Sequence, residues 1–323
     1  MSLTATRHVS VADVSAVGRP PDHPPDRSRD RSRDRLPEVP RGIAHRGAPV
    51  RDTRDASRTD GSGGENTLPA FARAAALGLD VETDVRASAD GVAVLHHDPV
   101  LARTTGDLRA VGVVAWRELA RLRVGGGAPL ARLDELLDAL PGVQVNVDVK
   151  DRAGIAATVS AVRRAGVSRR RTGRVTVASF SSWRAVRVRR ALGHAVGWSA
   201  TPPEIAALVA ASRTAPDGRA RPAARALAAT VARQLDAIQV PVRLLAGAHG
   251  QTLIDCCHDL GVQVHVWTVD EPSEIRALFD RGVDAVISDD AEALAGVLAG
   301  VLADMPAADP HRSRAAPGDP GWW

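Results

Sequence analysis

Charged residues interrupt two short apolar segments of the sequence, where a buried strand would normally carry none. Residues 79–85 contain Glu82 and Asp84, and residues 143–150 contain Asn146, Asp148 and Lys150. Because side chains alternate along a strand, the members of each set lie on one face. Charged groups in a buried parallel strand are costly unless they are paired or bind a metal. The pattern therefore favours a functional site over separate structural salt bridges.

Three of these residues, Glu82, Asp84 and Asp148, would give an oxygen-rich set of ligands. Carboxylate oxygens suit a hard cation better than they suit zinc. We therefore expect one divalent cation, Ca²⁺ or Mg²⁺, at this site.

Two histidines lie close to apolar segments, His45 in residues 43–46 and His97 in residues 91–98. An imidazole has an ordinary pKa of about 6.5, so it can accept and donate a proton near neutral pH. We expect one histidine to activate a nucleophile and the other to protonate a leaving oxygen. Arg46 and Lys150, the only lysine of the chain, would then complement the charge of a phosphate.

The elements that position these residues follow a regular alternation. Eight apolar segments, typical of strands, are separated by stretches whose apolar residues recur every three or four positions. The eight segments are 43–46, 79–85, 143–150, 174–179, 195–199, 236–240, 262–269 and 284–288. The alternation predicts an α/β protein with a (β/α)₈ TIM barrel, whose active site lies at the carboxyl ends of the strands.

Residues 91–98 do not fit this alternation, because only about six residues separate them from the preceding strand, whereas a parallel crossover needs about a dozen or more. We expect a hairpin-like excursion that delivers His97 to the mouth of the barrel.

Composition sets the limits of the barrel domain and the kind of partner. Residues 1–40 are rich in Pro, Arg and Asp and predict a disordered tail; residues 41–303 form the predicted barrel, and residues 304–323 a loose tail. A formal net charge of +4 gives little support to nucleic-acid binding.

The chain also lacks the features of a secreted or membrane protein. No apolar run resembles a signal peptide or a membrane span, and the only cysteines, Cys256 and Cys257, are adjacent and cannot staple distant segments. We expect a soluble, cytoplasmic protein, and the sequence leaves its oligomeric state open.

The motifs around these residues occur in a fixed order. They are HRG (45–47), ENTLPAF (65–71), GLDVETDV (78–85), DGVAVLHHDPVLARTTG (90–106), NVDVK (146–150), SF (179–180), VWTVD (266–270) and GVDAVISDD (282–290). With them the chain resembles the glycerophosphodiester phosphodiesterase family over about residues 42–298. The resemblance implies hydrolysis of glycerophosphodiesters to glycerol 3-phosphate and an alcohol.

The resemblance also implies roles for single residues. His45 and His97 match the acid–base pair, and His96 is a neighbour of that pair; Arg46 and Lys150 match the phosphate contacts, and Glu82, Asp84 and Asp148 match the metal carboxylates. Glu65 and Asp98 would support the site from behind these groups, although helix capping from Asn66 explains the ENT motif equally well. Trp267 matches a position near the substrate, where it could stack on the glycerol or pack at the rim.

Two features depart from the family pattern. Asp148 stands where the family usually has Glu, so we expect a weaker or altered metal preference. Residues 48–64 form a longer connection than usual, with Gly64 in place of a common Pro, and we interpret it as a mobile rim loop.

Two other functions stay open at this point. The first is a lysophospholipase D or sphingomyelinase D-like activity, which would need an apolar mouth, whereas the 48–64 loop is polar. The second is a barrel that binds a phosphorylated ligand without catalysis.

Overall fold

The computed structural model describes residues 39–49, 64–166, 174–213 and 222–305. Most of the two predicted tails, 1–40 and 304–323, and most of the 48–64 loop therefore lie outside the described residues.

Eight strands form a parallel barrel, as the alternation predicts. They are β1 Arg41–Ala44, β2 Asp80–Ala87, β4 Val145–Val149, β5 Val175–Ala178, β6 Gly197–Trp198, β7 Ala237–Pro241, β8 Gln263–Trp267 and β9 Ala285–Ser288. The order around the sheet is β6-β5-β4-β2-β1-β9-β8-β7, and a parallel bridge from Ser199 to Ala237 joins β6 to β7. The predicted (β/α)₈ barrel is confirmed.

Strand β1 lies two residues earlier than the predicted segment 43–46, because the chain turns away at His45. Arg46 and Gly47 both have positive φ, +58° and +86°, which ends the extended backbone. A Cβ at Gly47 would also lie 3.0 Å from the Ala70 backbone, so the turn needs glycine. The histidine and arginine of the HRG motif therefore project from a tight turn at the carboxyl end of β1.

The excursion after β2 is the predicted hairpin. Strand β3, Ala93–Leu95, pairs antiparallel with β2, and Val85 lies opposite Leu95. A small apolar cluster of its own holds the segment that follows; its buried members are Val94, Leu101, Val111, Val114, Leu119, Val124 and Leu130. His97 is thus carried by a short but separately packed excursion.

The helices cover the outside of the barrel and complete the repeating units. They are α1 Leu68–Ala76, α2 Ala102–Thr105, α3 Trp116–Leu119, α4 Leu133–Ala139, α5 Gly154–Arg164, α6 Ser182–Leu192, α7 Pro202–Ser212, α8 Pro222–Ala232, α9 Gly247–Asp259, α10 Pro272–Asp280 and α11 Ala291–Asp304. Their apolar faces and the outward residues of the strands make one continuous core. Within the parts of the chain described, no helix has the length and apolarity that crossing a bilayer requires.

Candidate active site

The turn after β1 fixes His45 at the mouth of the barrel. The His45 Nδ1 donates to Asp289 Oδ1 at 2.6 Å, and its Nε2 lies 3.8 Å from Glu82 Oε2. Burial by itself would lower the pKa of His45, but the hydrogen bond to Asp289 and the charge of Glu82 outweigh it and raise the pKa. The carboxylate at Nδ1 leaves Nε2 as the nitrogen that can exchange a proton.

His97 has the same arrangement at the end of the β3 excursion. Its Nδ1 donates to Asp98 Oδ1 at 2.7 Å, and its side chain is 35% exposed. Burial tends to raise the pKa of Asp98, but hydrogen bonds from Arg103 and His97 lower it to about 2. Asp98 is therefore an ionised partner for His97 at neutral pH. His96, by contrast, is buried against Thr104, with Nε2 and Oγ1 2.8 Å apart, and faces away from this chemistry.

A chain of ion pairs connects the two histidine-bearing turns. Arg103 donates to Asp98 at 2.6 Å and to both carboxylate oxygens of Glu65 at 2.7 Å. Glu65 in turn accepts from Arg46 Nη1 at 3.2 Å. Bidentate guanidinium–carboxylate pairs fix orientation as well as charge. Glu65 contacts Arg46, and Asp98 contacts His97, and neither carboxylate lines the cavity in the described structure.

The alternative interpretation of the ENT motif is wrong, because the N-cap of α1 is Thr67 and not Asn66. Asn66 instead turns inward with a positive φ of +58°. Its amide nitrogen donates to Asp84 Oδ2 at 3.2 Å, and its oxygen accepts from Thr83 Oγ1 at 2.7 Å. Asn66 therefore orients an acidic residue of the site rather than a helix.

The acidic residues meet on two neighbouring strands. Glu82 lies beside Asn146 and Asp84 beside Asp148 in the parallel register of β2 and β4. The Lys150 ammonium, just beyond β4, lies 2.8 Å from Asp84 Oδ1 and 2.7 Å from Asp148 Oδ2. The convergence of these two sets of residues, expected from strand alternation, is present in the structure.

Burial gives the three carboxylates different proton affinities. Burial raises the pKa of Glu82 to about 8, with a further contribution from the negative charge of Asp84. Asp84 is as deeply buried, but the neighbouring Lys150 and Arg46 charges keep its pKa below the ordinary value. Burial raises the pKa of Asp148, and Lys150 offsets only part of that effect. Asp84 is therefore the carboxylate that stays ionised most readily, whereas burial favours a bound proton on Glu82 and Asp148.

This donor set fits a hard divalent cation. All of its candidate ligand atoms are oxygens, and among the described residues the buried Asp148 Oδ1 and Asn146 Oδ1 have no hydrogen-bond partner. A nearby cation would also favour the ionised form of Glu82. In the arrangement described, however, Lys150 bridges two of the carboxylates, and no group of three or more His, Cys, Asp or Glu side chains within the described ranges is gathered closely enough to hold an ion.

Glu82 and Asp148 open on a cavity of about 700 Å³, which Asp84 does not line. Among the residues that line it are His45, Arg46, Glu82, His97, Asp148 and Lys150. Trp267, at the end of β8, also lines the cavity and makes an edge-to-face contact with Phe180, with 5.9 Å between ring centroids. The Phe180 ring also lies 5.8 Å from the Lys150 ammonium.

The sequence did not reveal the site contacts of three residues, namely Asn66, Arg103 and Asp289. All three lie inside strings that the sequence analysis quotes, in ENTLPAF, DGVAVLHHDPVLARTTG and GVDAVISDD. A polar residue directly after the last strand was the available signal for Asp289, since the carboxyl ends of barrel strands meet at one face.

Comparisons with known proteins point to one family. The model of the "Glycerophosphoryl diester phosphodiesterase family" matches residues 45–293. A probable glycerophosphodiester phosphodiesterase 2 of Mycobacterium tuberculosis is 39% identical over 236 residues, which covers 72% of this chain and 84% of that protein.

Solved structures share the fold. A glycerophosphodiester phosphodiesterase from Agrobacterium tumefaciens superposes with a TM-score of 0.63 at 24% identity, over 81% of this chain and 100% of that one. An Oleispira antarctica phosphodiesterase, solved with the product sn-glycerol-3-phosphate, has a TM-score of 0.56 at 21% identity, over 81% of this chain and 97% of its own.

Proposed function

Because the chain belongs to the glycerophosphoryl diester phosphodiesterase family and is a phosphoric diester hydrolase, we propose that it hydrolyses glycerophosphodiesters to glycerol 3-phosphate and an alcohol, with His45 and His97 as its acid–base pair. The observation that carries this proposal is the matched setting of the two histidines. Each opens on the same cavity, and each has a carboxylate at Nδ1, Asp289 for His45 and Asp98 for His97.

In the proposed reaction the Nε2 of one imidazole accepts the proton of the attacking hydroxyl or water. The oxygen of that attacking group then forms a bond to phosphorus. The bond from phosphorus to the alcohol oxygen breaks, and the other imidazole supplies the proton that this oxygen takes up. The Arg46 guanidinium and the Lys150 ammonium bind the nonbridging phosphate oxygens. Trp267 packs against the glycerol.

We assign the divalent cation, Ca²⁺ or Mg²⁺, to Glu82, Asp84 and Asp148. When bound, such an ion polarises a phosphate oxygen and stabilises the charge that develops there. Two observations support this assignment. All the candidate ligand atoms are oxygens, and among the described residues Asp148 Oδ1 has no hydrogen-bond partner. Lys150 would then exchange its contact with Asp148 for one with the substrate phosphate. This role suits the compact ammonium of lysine better than the broad, planar guanidinium of arginine.

The catalytic domain in this proposal is residues 41–303. The family match, 45–293, lies within these limits, and β1 begins at Arg41 while α11 ends at Asp304. We also propose a cytoplasmic location, with support from two cysteines, Cys256 and Cys257, that are both free thiols.

The test is a double substitution, His45→Ala with His97→Ala, in the purified protein. Release of glycerol 3-phosphate from glycerophosphocholine should fall to background, whereas Mn²⁺ binding measured by calorimetry should stay at the wild-type value. His249→Ala is the matched control, because His249 is exposed and does not line the cavity in the described structure. Unchanged turnover in the double variant would reject the acid–base assignment. A barrel that only binds its ligand would show no turnover even in the wild-type protein.

A further inference from the structure

The cavity has an apolar wall opposite the charged residues. Strand β6 is the fourth strand from β1 in either direction round the barrel, so helix α7, which follows β6, lies across the mouth from His45. Pro202, Ile205, Ala206 and Val209 of α7 line the cavity. Their spacing, i, i+3, i+4 and i+7, places them in one stripe along the helix. Pro241, the last residue of β7, and Leu244 line the cavity as well, and Arg243 is the charged lining residue beside them.

Helix α7 carries this stripe beside the face that packs on the core, and two stripe residues, Ile205 and Val209, are also partly buried against that core. Its core-facing residues are Leu208 and Ala211, which are buried, and the helix packs mainly on α8 and α9. Glu204 is its only charged residue, and Arg189 holds that carboxylate at 2.6 Å. A helix that is apolar all round is normally buried, yet Pro202 and Ala206 are exposed toward the cavity. An apolar group that enters the cavity would cover this stripe.

The apolar wall and the charged end belong to one continuous space. Lys150 and Arg46 lie at one end, and Phe180, which is 64% exposed, lies between Lys150 and the aromatic Trp267. A ligand that fills this space has a phosphate at one end and a chain at the other. The stripe is about 10 Å long, since a helix rises roughly 1.5 Å per residue.

On the basis of the function proposed above, we propose that the α7 stripe binds an acyl or alkyl chain carried by the phosphodiester, and that the enzyme therefore prefers lysophospholipid-like substrates to unacylated glycerophosphodiesters. The reaction itself is unchanged. Water adds its hydroxyl to phosphorus, the bond to the head-group alcohol breaks, and that alcohol leaves with a proton. The polar 48–64 segment, which made an apolar mouth unexpected from the sequence, follows β1 in the chain, whereas the stripe is on the helix that follows β6.

The test compares three monomeric substrates. They are glycerophosphocholine, its derivative with a hexanoyl chain on the glycerol, and a glycerophosphodiester whose alcohol is hexanol. Each methylene that leaves water contributes a factor of about fourfold, so burial of only two should raise kcat/KM more than about tenfold. A preference in either chain-bearing arm supports the proposal and identifies which ester carries the chain. Equal kcat/KM for all three substrates overturns the proposal but leaves the proposed function intact, whereas no hydrolysis of glycerophosphocholine defeats the proposed function itself.

Variants test whether α7 causes the preference. Val209→Thr and Ile205→Thr put a hydroxyl on the stripe, and each should reduce the ratio of chain-bearing to unacylated kcat/KM by about fivefold, the cost of placing a hydroxyl against an apolar chain. Val231→Thr is the matched control, since Val231 is equally half-buried against the same core but does not line the cavity in the described structure. A ratio that falls equally in Val231→Thr, or that does not fall in either stripe variant, would contradict the assignment to α7.

Discussion

Substitution of Asp289 tests whether a residue that the sequence analysis overlooked positions a catalytic histidine. The Asp289 carboxylate accepts from His45 Nδ1 at 2.6 Å, the shortest polar contact that His45 makes. In Asp289→Asn the side chain keeps its shape but loses its charge, and its amide can present a donor where the imidazole needs an acceptor. The imidazole would then favour the wrong tautomer, with Nε2 less able to take the substrate proton.

The magnitude follows from the geometry and the exposure of this pair. A hydrogen bond to a charged partner contributes roughly 1.5–3 kcal/mol. Because the Asp289 side chain is 38% exposed, solvent screening places the effect at the lower end. A loss of about 1.5 kcal/mol in the transition state corresponds to a decrease in kcat of about tenfold. KM should change little, because Asp289 does not line the cavity in the described structure.

The assay is steady-state release of glycerol 3-phosphate from glycerophosphocholine at saturating divalent cation. Asp290→Asn is the control, since Asp290 is adjacent but caps α11 through the Ala293 amide, a task that asparagine also performs. The expected result is a kcat about tenfold lower for Asp289→Asn and near wild type for Asp290→Asn. A folded Asp289→Asn enzyme with kcat within twofold of wild type would refute the positioning role.

Three further predictions concern the metal ligands, the pH dependence of stability and the packing of the helices. Asp148→Glu, which restores the longer carboxylate, should change the relative activity with Ca²⁺, Mg²⁺ and Mn²⁺; an unchanged ranking would count against Asp148 as a ligand. The hydrogen bond from His258 Nε2 to Asp284 raises the pKa of His258 above its ordinary 6.5. The contribution of this hydrogen bond to stability is therefore complete below pH 6.5, and it is lost as the pH rises through the higher pKa of the folded state. The stability advantage of the wild type over His258→Gln, measured by urea unfolding, should therefore shrink above pH 6.5, and a constant difference would contradict the assignment. Gly250→Ala should destabilise the protein by about 1–3 kcal/mol, because a Cβ there would collide with a neighbouring backbone carbonyl. Gly296→Ala should instead stabilise it by about 0.5–1 kcal/mol, because a Cβ there meets nothing within 4 Å. Equal melting temperatures for the two variants would contradict this.

The strands of the barrel were predictable because a strand buried on both faces needs a short apolar run and a helix must follow it. The β3 excursion was equally accessible, since six residues are too few for a parallel crossover. The carboxyl end of β1 was not, because the left-handed backbone at Arg46 and Gly47 ends the strand two residues before the apolar pattern does. Strand β6 has only two residues, and both lie inside the predicted segment 195–199.

The site was predictable where it depends on strand alternation or on motif register. Glu82 and Asp84 share a face for the first reason, and His97 was found for the second. Partners that meet only through folding were out of reach. Asp289 is 244 positions from His45, and the sequence around either residue does not predict their contact. The apolar stripe of α7 was missed for a related reason, since a helix pattern predicts that one face is buried but not that a second face opens on a cavity.

The most direct test of the proposed function is hydrolysis of glycerophosphocholine by the purified protein, with glycerol 3-phosphate measured in EDTA and after addition of Mg²⁺, Ca²⁺ or Mn²⁺. We expect background release in EDTA and turnover with at least one of these cations, with equal amounts of choline and glycerol 3-phosphate. Release that is equally fast in EDTA would contradict the assignment of a cation to Glu82, Asp84 and Asp148. Absence of release with every cation would contradict the hydrolysis itself.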